Sequence, residues 1–148
     1  MEHKIYRFEE LSPELLYSIL RLRESVFVIE QQSIYEDIDG LDQEAWHLCI
    51  FDKEQLIGYL RLRLIVEKDL AKIERVVVDV AHRSKGAASF LMKVAMQKVI
   101  DQTEFKQITL SAQTAVLRYY QKLGFVAHGD TYLDGGIPHI DMSWTRQL

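Results

Sequence analysis

Residues 76–88 read Val-Val-Val-Asp-Val-Ala-His-Arg-Ser-Lys-Gly-Ala-Ala. A run of β-branched residues gives way to a short turn, and Arg-x-x-Gly-x-Ala then opens a helix. A strand feeding a helix through so short a turn commits the chain to an α/β arrangement, with the helix packed back on a sheet. The turn also carries chemistry. A glycine at a helix start leaves main-chain N–H groups bare, and with the positive end of the helix dipole these form a site for a phosphate.

The flanking segments extend the pattern. Ser12-Pro13-Glu14 is a helix start, with a hydroxyl cap, a first-turn proline and an acid. Leu15, Ile19, Leu22 and Val26 follow at helical spacing. Residues 30–45 are acidic and irregular and read as a loop or broken helix. Trp46 to Phe51 alternates like a strand, residues 52–55 read as a hairpin turn, and Leu60, Leu62 and Leu64 mark a second strand with Gly58 at a bulge. Ile73 to Val80 is more uniformly apolar and reads as a central strand. Further on come a strand from Ile108 to Ala112, a helix from Thr114 to Leu123 closed by Gly124, a strand at Phe125 to Ala127, and a last strand in which Ile140, Met142 and Trp144 alternate with polar residues. The order predicts an α/β (α+β) fold, a mixed sheet of about six to seven strands with helices on both faces.

Composition narrows the class. A chain of 148 residues is expected to be one domain over 1–148, large enough for a core without staples. A net charge of −4 argues against a nucleic-acid partner. The single cysteine, Cys49, forbids an intrachain disulfide, and no apolar run reaches the roughly 18 residues of a membrane span. The first residues, Met-Glu-His-Lys-Ile-Tyr, lack the apolar core of a signal peptide. A cytoplasmic protein without a membrane partner is the expectation. The glycines fit neither a P-loop nor a dinucleotide fingerprint. Asp37-x-Asp39-Gly40 fails as a calcium loop because aligning its glycine places Tyr35 and Trp46 at ligand positions, and His47-x-Cys49 is too small for zinc. No metal is expected.

Downstream, Tyr120-x-x-x-Gly124-Phe125 closes the helix that follows one further strand. The turn and this element together resemble the GNAT N-acetyltransferase superfamily. Phe27-Val28 with Glu30-Gln31, Tyr35 to Gly40, Ala112-Gln113 and Gly136 to Ile140 resemble its ElaA-like branch, so the likeness runs from about residue 20 to about residue 142. The resemblance implies an acyltransferase with acetyl-coenzyme A as cosubstrate and a primary amine, on a small molecule or a peptide or protein, as acceptor. It implies that the backbone of Val76, Val77 and Val78 pairs with the pantetheine arm. It implies that Ser84, Lys85, Gly86, Ala87, Ala88 and Ser89 cradle the diphosphate, with charge from Arg83 and Lys85. Ala88 stands where a second glycine is commoner. Gln113 stands where many relatives have an asparagine on the pantetheine arm.

Tyr120 is the implied general acid, protonating the thiolate that leaves when an amine attacks directly; it could also be plain core, and Tyr119 points about 100° away. For the general base two candidates stay open. Glu74, on the central strand, is placed by alternation on the face of Val76 and Val78, or is simply paired with Arg61, Arg63 or Arg75. His139 shares the polar face of the last strand with Asp141 and suits a base by its type. Glu30, Asp37 and Asp39 are candidates to attract a cationic amine, or form a solvated acidic loop. Two other functions stay open: a sensor that binds acyl-coenzyme A without turnover, and an interaction subunit of the same fold. A monomer or a homodimer is expected.

Overall fold

The computed structural model describes residues 1–147. Seven strands form one sheet in the order β1-β2-β3-β4-β5-β7-β6. The strands are β1 (Glu2–Arg7), β2 (Trp46–Asp52), β3 (Gln55–Ile65), β4 (Leu70–Val78), β5 (Gln107–Gln113), β6 (Val126–Asp134) and β7 (Ile137–Thr145). Every neighbouring pair is antiparallel except β4 and β5. That parallel pair is short, registering only Leu70 with Gln107, Ala71 with Ile108 and Lys72 with Thr109. Beyond Lys72 the two strands part. Among the described residues no helix is long and apolar enough to cross a membrane.

The helices are α1 (Pro13–Arg23), α2 (Ala87–Gln102) and α3 (Leu117–Lys122). Ser12 caps α1 as expected, its hydroxyl accepting the Leu15 N–H at 3.0 Å. The helix then continues in wider π-type turns over Glu24–Glu30, so the acidic segment begins later than the sequence suggests. Ile19, Leu22 and Val26 bury one face against Cys49, Tyr59 and Val77. On the other face of the sheet, Leu91, Met92, Ala95 and Val99 of α2 pack on Leu60, Leu62, Ala71 and Ile73, joined by Leu117 and Tyr120 of α3. Helices thus cover both faces. The β2–β3 register slips beside Gly58, where a Cβ would meet the Leu91 side chain at 3.3 Å, so the bulge expected there also lets α2 approach closely.

Three elements depart from the sequence reading. β1 was not foreseen, because only Ile5 and Tyr6 of its six residues are part-buried. β6 runs well past Ala127, to Asp134. The central strand contains a bulge. Arg61 registers with Glu74 while Tyr59 registers with Val77, so β4 carries one more residue than β3 opposes, and Arg75 takes φ +57°. This extra residue exchanges the faces of the strand. Ala71 and Ile73 lie in the α2-side core before it, yet Val77 lies in the α1-side core after it, with Val76 and Val78 on the α2 side. Strict alternation therefore misplaces Glu74: it shares a face with Val77, Arg61 and Arg63, not with Val76 and Val78.

Candidate active site

The parting of β4 and β5 opens a cleft of about 890 Å³. One wall is β4 from Lys72 to Val78 and the turn beyond it. The other is Leu110, Ser111 and Gln113 of β5 with Val116, Tyr119 and Tyr120. Val26, Phe27, Glu30 and Gln31 lean in from the π-type turns, and Asp134, Ile137 and His139 from the β6–β7 hairpin. Past Lys72 the β4 edge that would face β5 has no strand against it among the described residues. The run Val76, Val77 and Val78 therefore offers main-chain donors and acceptors to an extended ligand.

The turn behaves as its sequence requires. Gly86 caps α2 at φ +81°, a conformation that glycine enters freely, and a Cβ there would meet nothing within 4 Å. Ser84 holds φ +63°. The first main-chain bond of α2 runs from the Phe90 N–H to the Gly86 carbonyl at 3.0 Å. Among the described residues the N–H groups of Ser84, Lys85, Gly86, Ala87, Ala88 and Ser89 have no protein acceptor. These donors gather at the positive end of a 16-residue helix. Ser84, Gly86, Ala87, Ala88 and Ser89 line the cleft, whereas the exposed Lys85 side chain stands outside its walls. Arg83 is already engaged. Its Nε donates to the Val78 carbonyl at 3.1 Å, and its two terminal nitrogens donate to Glu30 at 2.7 and 2.9 Å. That hydrogen bond holds the Glu30 carboxyl below its usual range.

Across the cleft, the Gln113 amide donates to the Gln31 carbonyl oxygen at 3.3 Å. Tyr120 is fixed by the end of α3. Gly124 takes φ +98°, and the Phe125 N–H closes on the Tyr120 carbonyl at 3.1 Å in a Schellman-type cap. The Tyr120 ring packs edge-on against Phe125 and Tyr119. Burial, reinforced by Tyr119, pushes its phenol up to about 12. Tyr119 lines the same cleft and donates to the Ser89 hydroxyl at 3.2 Å. The 100° step around the helix did not take it away from the site, since both tyrosines line the cleft.

The acidic residues are far less free than their sequence implied. Arg23 and Arg61 are wholly buried. Arg23 donates to Asp37 at 3.0 Å and to Asp42 at 2.9 Å. Arg61 donates to both oxygens of Asp39 at 2.8 Å and to Asp42 at 2.9 Å. Arg75 adds bonds to the Asp37 carbonyl and the Asp39 carboxylate. Burial opposes ionisation of Asp39 and Asp42, yet the guanidinium groups outweigh it and both fall below the ordinary range. Asp37, Asp39 and Asp42 are thus turned inward onto arginines, while Glu30, Glu36 and Glu44 of the same segment stay exposed. Glu74 is similar: Arg61 reaches it at 3.1 Å, Arg63 at 2.6 Å and Lys72 at 3.8 Å. Burial resists its charge, but Arg63 and Arg61 hold its carboxyl low.

His139 stands apart from that network. Its Nδ1–H donates to the Ile137 carbonyl at 2.7 Å. A carbonyl can only accept, so the proton of the neutral ring sits on Nδ1 and Nε2 keeps its lone pair. The ring stacks on Tyr132, whose hydroxyl bonds Ser111 and donates to Asp141 at 2.6 Å. Tyr119, Lys72, Ser111 and Asp134 are cleft residues that sequence reasoning missed. Tyr119 and Ser111 sit on elements that were recognised, whereas Lys72 and Asp134 lie on stretches of β4 and β6 beyond the strands as read, and only the strand parting brings all four to one opening.

Residues 9–146 match the family model described as acetyltransferase (GNAT) domain. Protein ElaA of Escherichia coli is 36% identical over 138 residues, covering 90% of each chain. Its crystal structure superposes with a TM-score of 0.88 over 97% of this chain and 99% of that one. A UPF0039 protein of Synechocystis is 36% identical, over 92% of this chain and 90% of its own. The crystal structure of an acyl-CoA N-acyltransferase from Pseudomonas aeruginosa is 36% identical, with a TM-score of 0.90 over 98% of this chain and 100% of that one.

Proposed function

The chain belongs to the GNAT acetyltransferase family, and from that premise we propose that it transfers an acetyl group from acetyl-coenzyme A to a primary amine by direct attack, with His139 as general base and Tyr120 as general acid. The observation that carries this reading is the row of unclaimed N–H groups from Ser84 to Ser89, beside a cleft that also holds Tyr120. Those groups suit a diphosphate, and the bare Gly86 leaves room for its close approach. The open edge at Val76, Val77 and Val78 suits the amides of a pantetheine arm, with the Gln113 amide facing it across the cleft. When bound, the coenzyme supplies an acetyl thioester; attack forms a C–N bond, breaks the C–S bond and releases a thiolate.

The protein's part is proton traffic and alignment. An aliphatic amine reaches the site largely as ammonium and must lose a proton before it attacks. Nε2 of His139 has the free lone pair to take that proton. Glu74 is the weaker candidate, because its lone pairs are committed to Arg61 and Arg63. Tyr120 stays a phenol at neutral pH and can give its proton to the departing sulfur. Asp37 and Asp39 lie behind the cleft lining, neutralised by arginines, and brace Arg75 of its wall rather than attract the amine.

Calorimetric titration with acetyl-coenzyme A, followed by free-thiol release across a panel of amines, tests the proposal. Binding with amine-dependent thiol release is expected, and His139→Gln should keep the binding and lose the release. Absence of binding, or undiminished release in His139→Gln, would overturn the reading or its base.

A further inference from the structure

The charges around the acceptor end of the cleft do not balance locally, and the imbalance identifies an acceptor class. Five cations, Arg23, Arg61, Arg63, Lys72 and Arg75, share four carboxylates, Asp37, Asp39, Asp42 and Glu74. The three aspartates are spent on Arg23, Arg61 and Arg75. Arg63 and Lys72 are left with one carboxylate between them, that of Glu74, which Arg61 also approaches. Arg63 takes the close contact at 2.6 Å, and Lys72 stays at 3.8 Å with its side chain 37% exposed and lining the cleft.

The remaining charged groups of the cleft do not cancel this cation where it stands. Glu30 and Arg83 neutralise each other at the turn, and His82 faces Asp79 and Asp52. Asp134 has no ion-pair partner among the described residues and lines the cleft from the hairpin that also carries His139. The acceptor end is therefore polarised. Its β4 wall presents an under-neutralised ammonium, and its hairpin wall presents a carboxylate beside the base.

We propose that the acceptor is a zwitterion, an amine that also bears a carboxylate, held with its anionic group toward Lys72 and its ammonium toward Asp134 and His139. This rests on the N-acetyl transfer reading above and adds the substrate class to it. A carboxylate accepting from Lys72 would complete the pairing that Glu74 leaves unfinished. A neutral or purely cationic amine would leave the wall as it is and gain nothing from it.

The test uses matched acceptors: L-amino acids, each beside its α-carboxamide and its decarboxylated amine, with thiol release measured at saturating acetyl-coenzyme A. The acids are expected to exceed the other two in kcat/KM by about 10- to 100-fold, the range of a charge-assisted hydrogen bond. Lys72→Met should erase that preference through KM and leave acetyl-coenzyme A binding unchanged, and Lys72→Arg should retain it. Equal or better use of the amides, or a Lys72→Met loss shared by acids and amides, would overturn the proposal. If acetyl-coenzyme A binds and no amine is acetylated, the transfer reading fails. The inference is then decided by saturation-transfer NMR with the coenzyme-A-loaded protein. Acid-selective binding lost in Lys72→Met supports it, and equal binding of acids and amides overturns it.

Discussion

One side chain, that of Tyr120, and one missing side chain, at Gly86, concentrate the chemistry. Tyr120→Phe removes only a hydroxyl from a ring held by Phe125 and Tyr119, so the fold and coenzyme affinity should survive. Turnover should fall by about 10²- to 10⁴-fold, read as thiol release at saturating substrates beside an unchanged calorimetric Kd. Gly86→Ala tests the turn from the opposite direction. The left-handed backbone at φ +81° costs a residue with a Cβ about 1–2 kcal/mol, visible as a lower urea midpoint. That Cβ meets no protein atom and would occupy open space at a residue that lines the cleft, so acetyl-coenzyme A should bind more weakly than the stability loss alone explains. These positions were legible in the sequence, because Gly86 and the Tyr-x-x-x-Gly-Phe helix end declare their own backbone geometry locally. The ion pairs of Glu30, Asp37 and Asp39 were not legible because nothing in the sequence names the partners: Arg83, Arg61 and Arg75 lie more than twenty residues downstream, and Arg23 lies fourteen residues before Asp37.

Among the elements, the acidic segment with its inward-turned aspartates and β4 matter most. The segment is anchored on Arg23, a fully buried guanidinium reaching two aspartates at once. Arg23→Met fills the space but leaves Asp37 and Asp42 each short of a cation, and should cost about 3–5 kcal/mol in urea unfolding. The strand's bulge explains a different failure of sequence reasoning. A run of Arg-Val-Val-Val carries no glycine to announce a left-handed residue, yet Arg75 adopts one and exchanges the faces of everything after it. Element types and order followed from periodicity and capping. The side on which Glu74 stands did not, since one uncounted residue reverses it. β1 escaped notice for a simpler reason, its pairing with β2 being supported by only two part-buried apolar side chains.

At the scale of the molecule, the arginine network sets the response to acid. Asp39, Asp42 and Glu74 have folded-state values below those of an unfolded chain, so the unfolded state binds more protons once pH falls below the ordinary carboxylate range near 4. Their stabilisation is fully present above that range and drains away as pH drops through the depressed values. Buried His47 is held below its usual range by desolvation, so the unfolded chain gains that proton first; unfolding free energy should therefore decline modestly between neutral pH and about 5 and fall steeply below 4, in a urea series followed by circular dichroism. The short β4–β5 register has a consequence for how the whole chain breathes. Three rungs join a four-stranded block to a three-stranded one, and a cosubstrate spanning the gap would act as the missing rungs. Deuterium uptake should then slow on saturation with acetyl-coenzyme A along the facing edges of both blocks, while the outlying amides of β1 and β6 keep their pace.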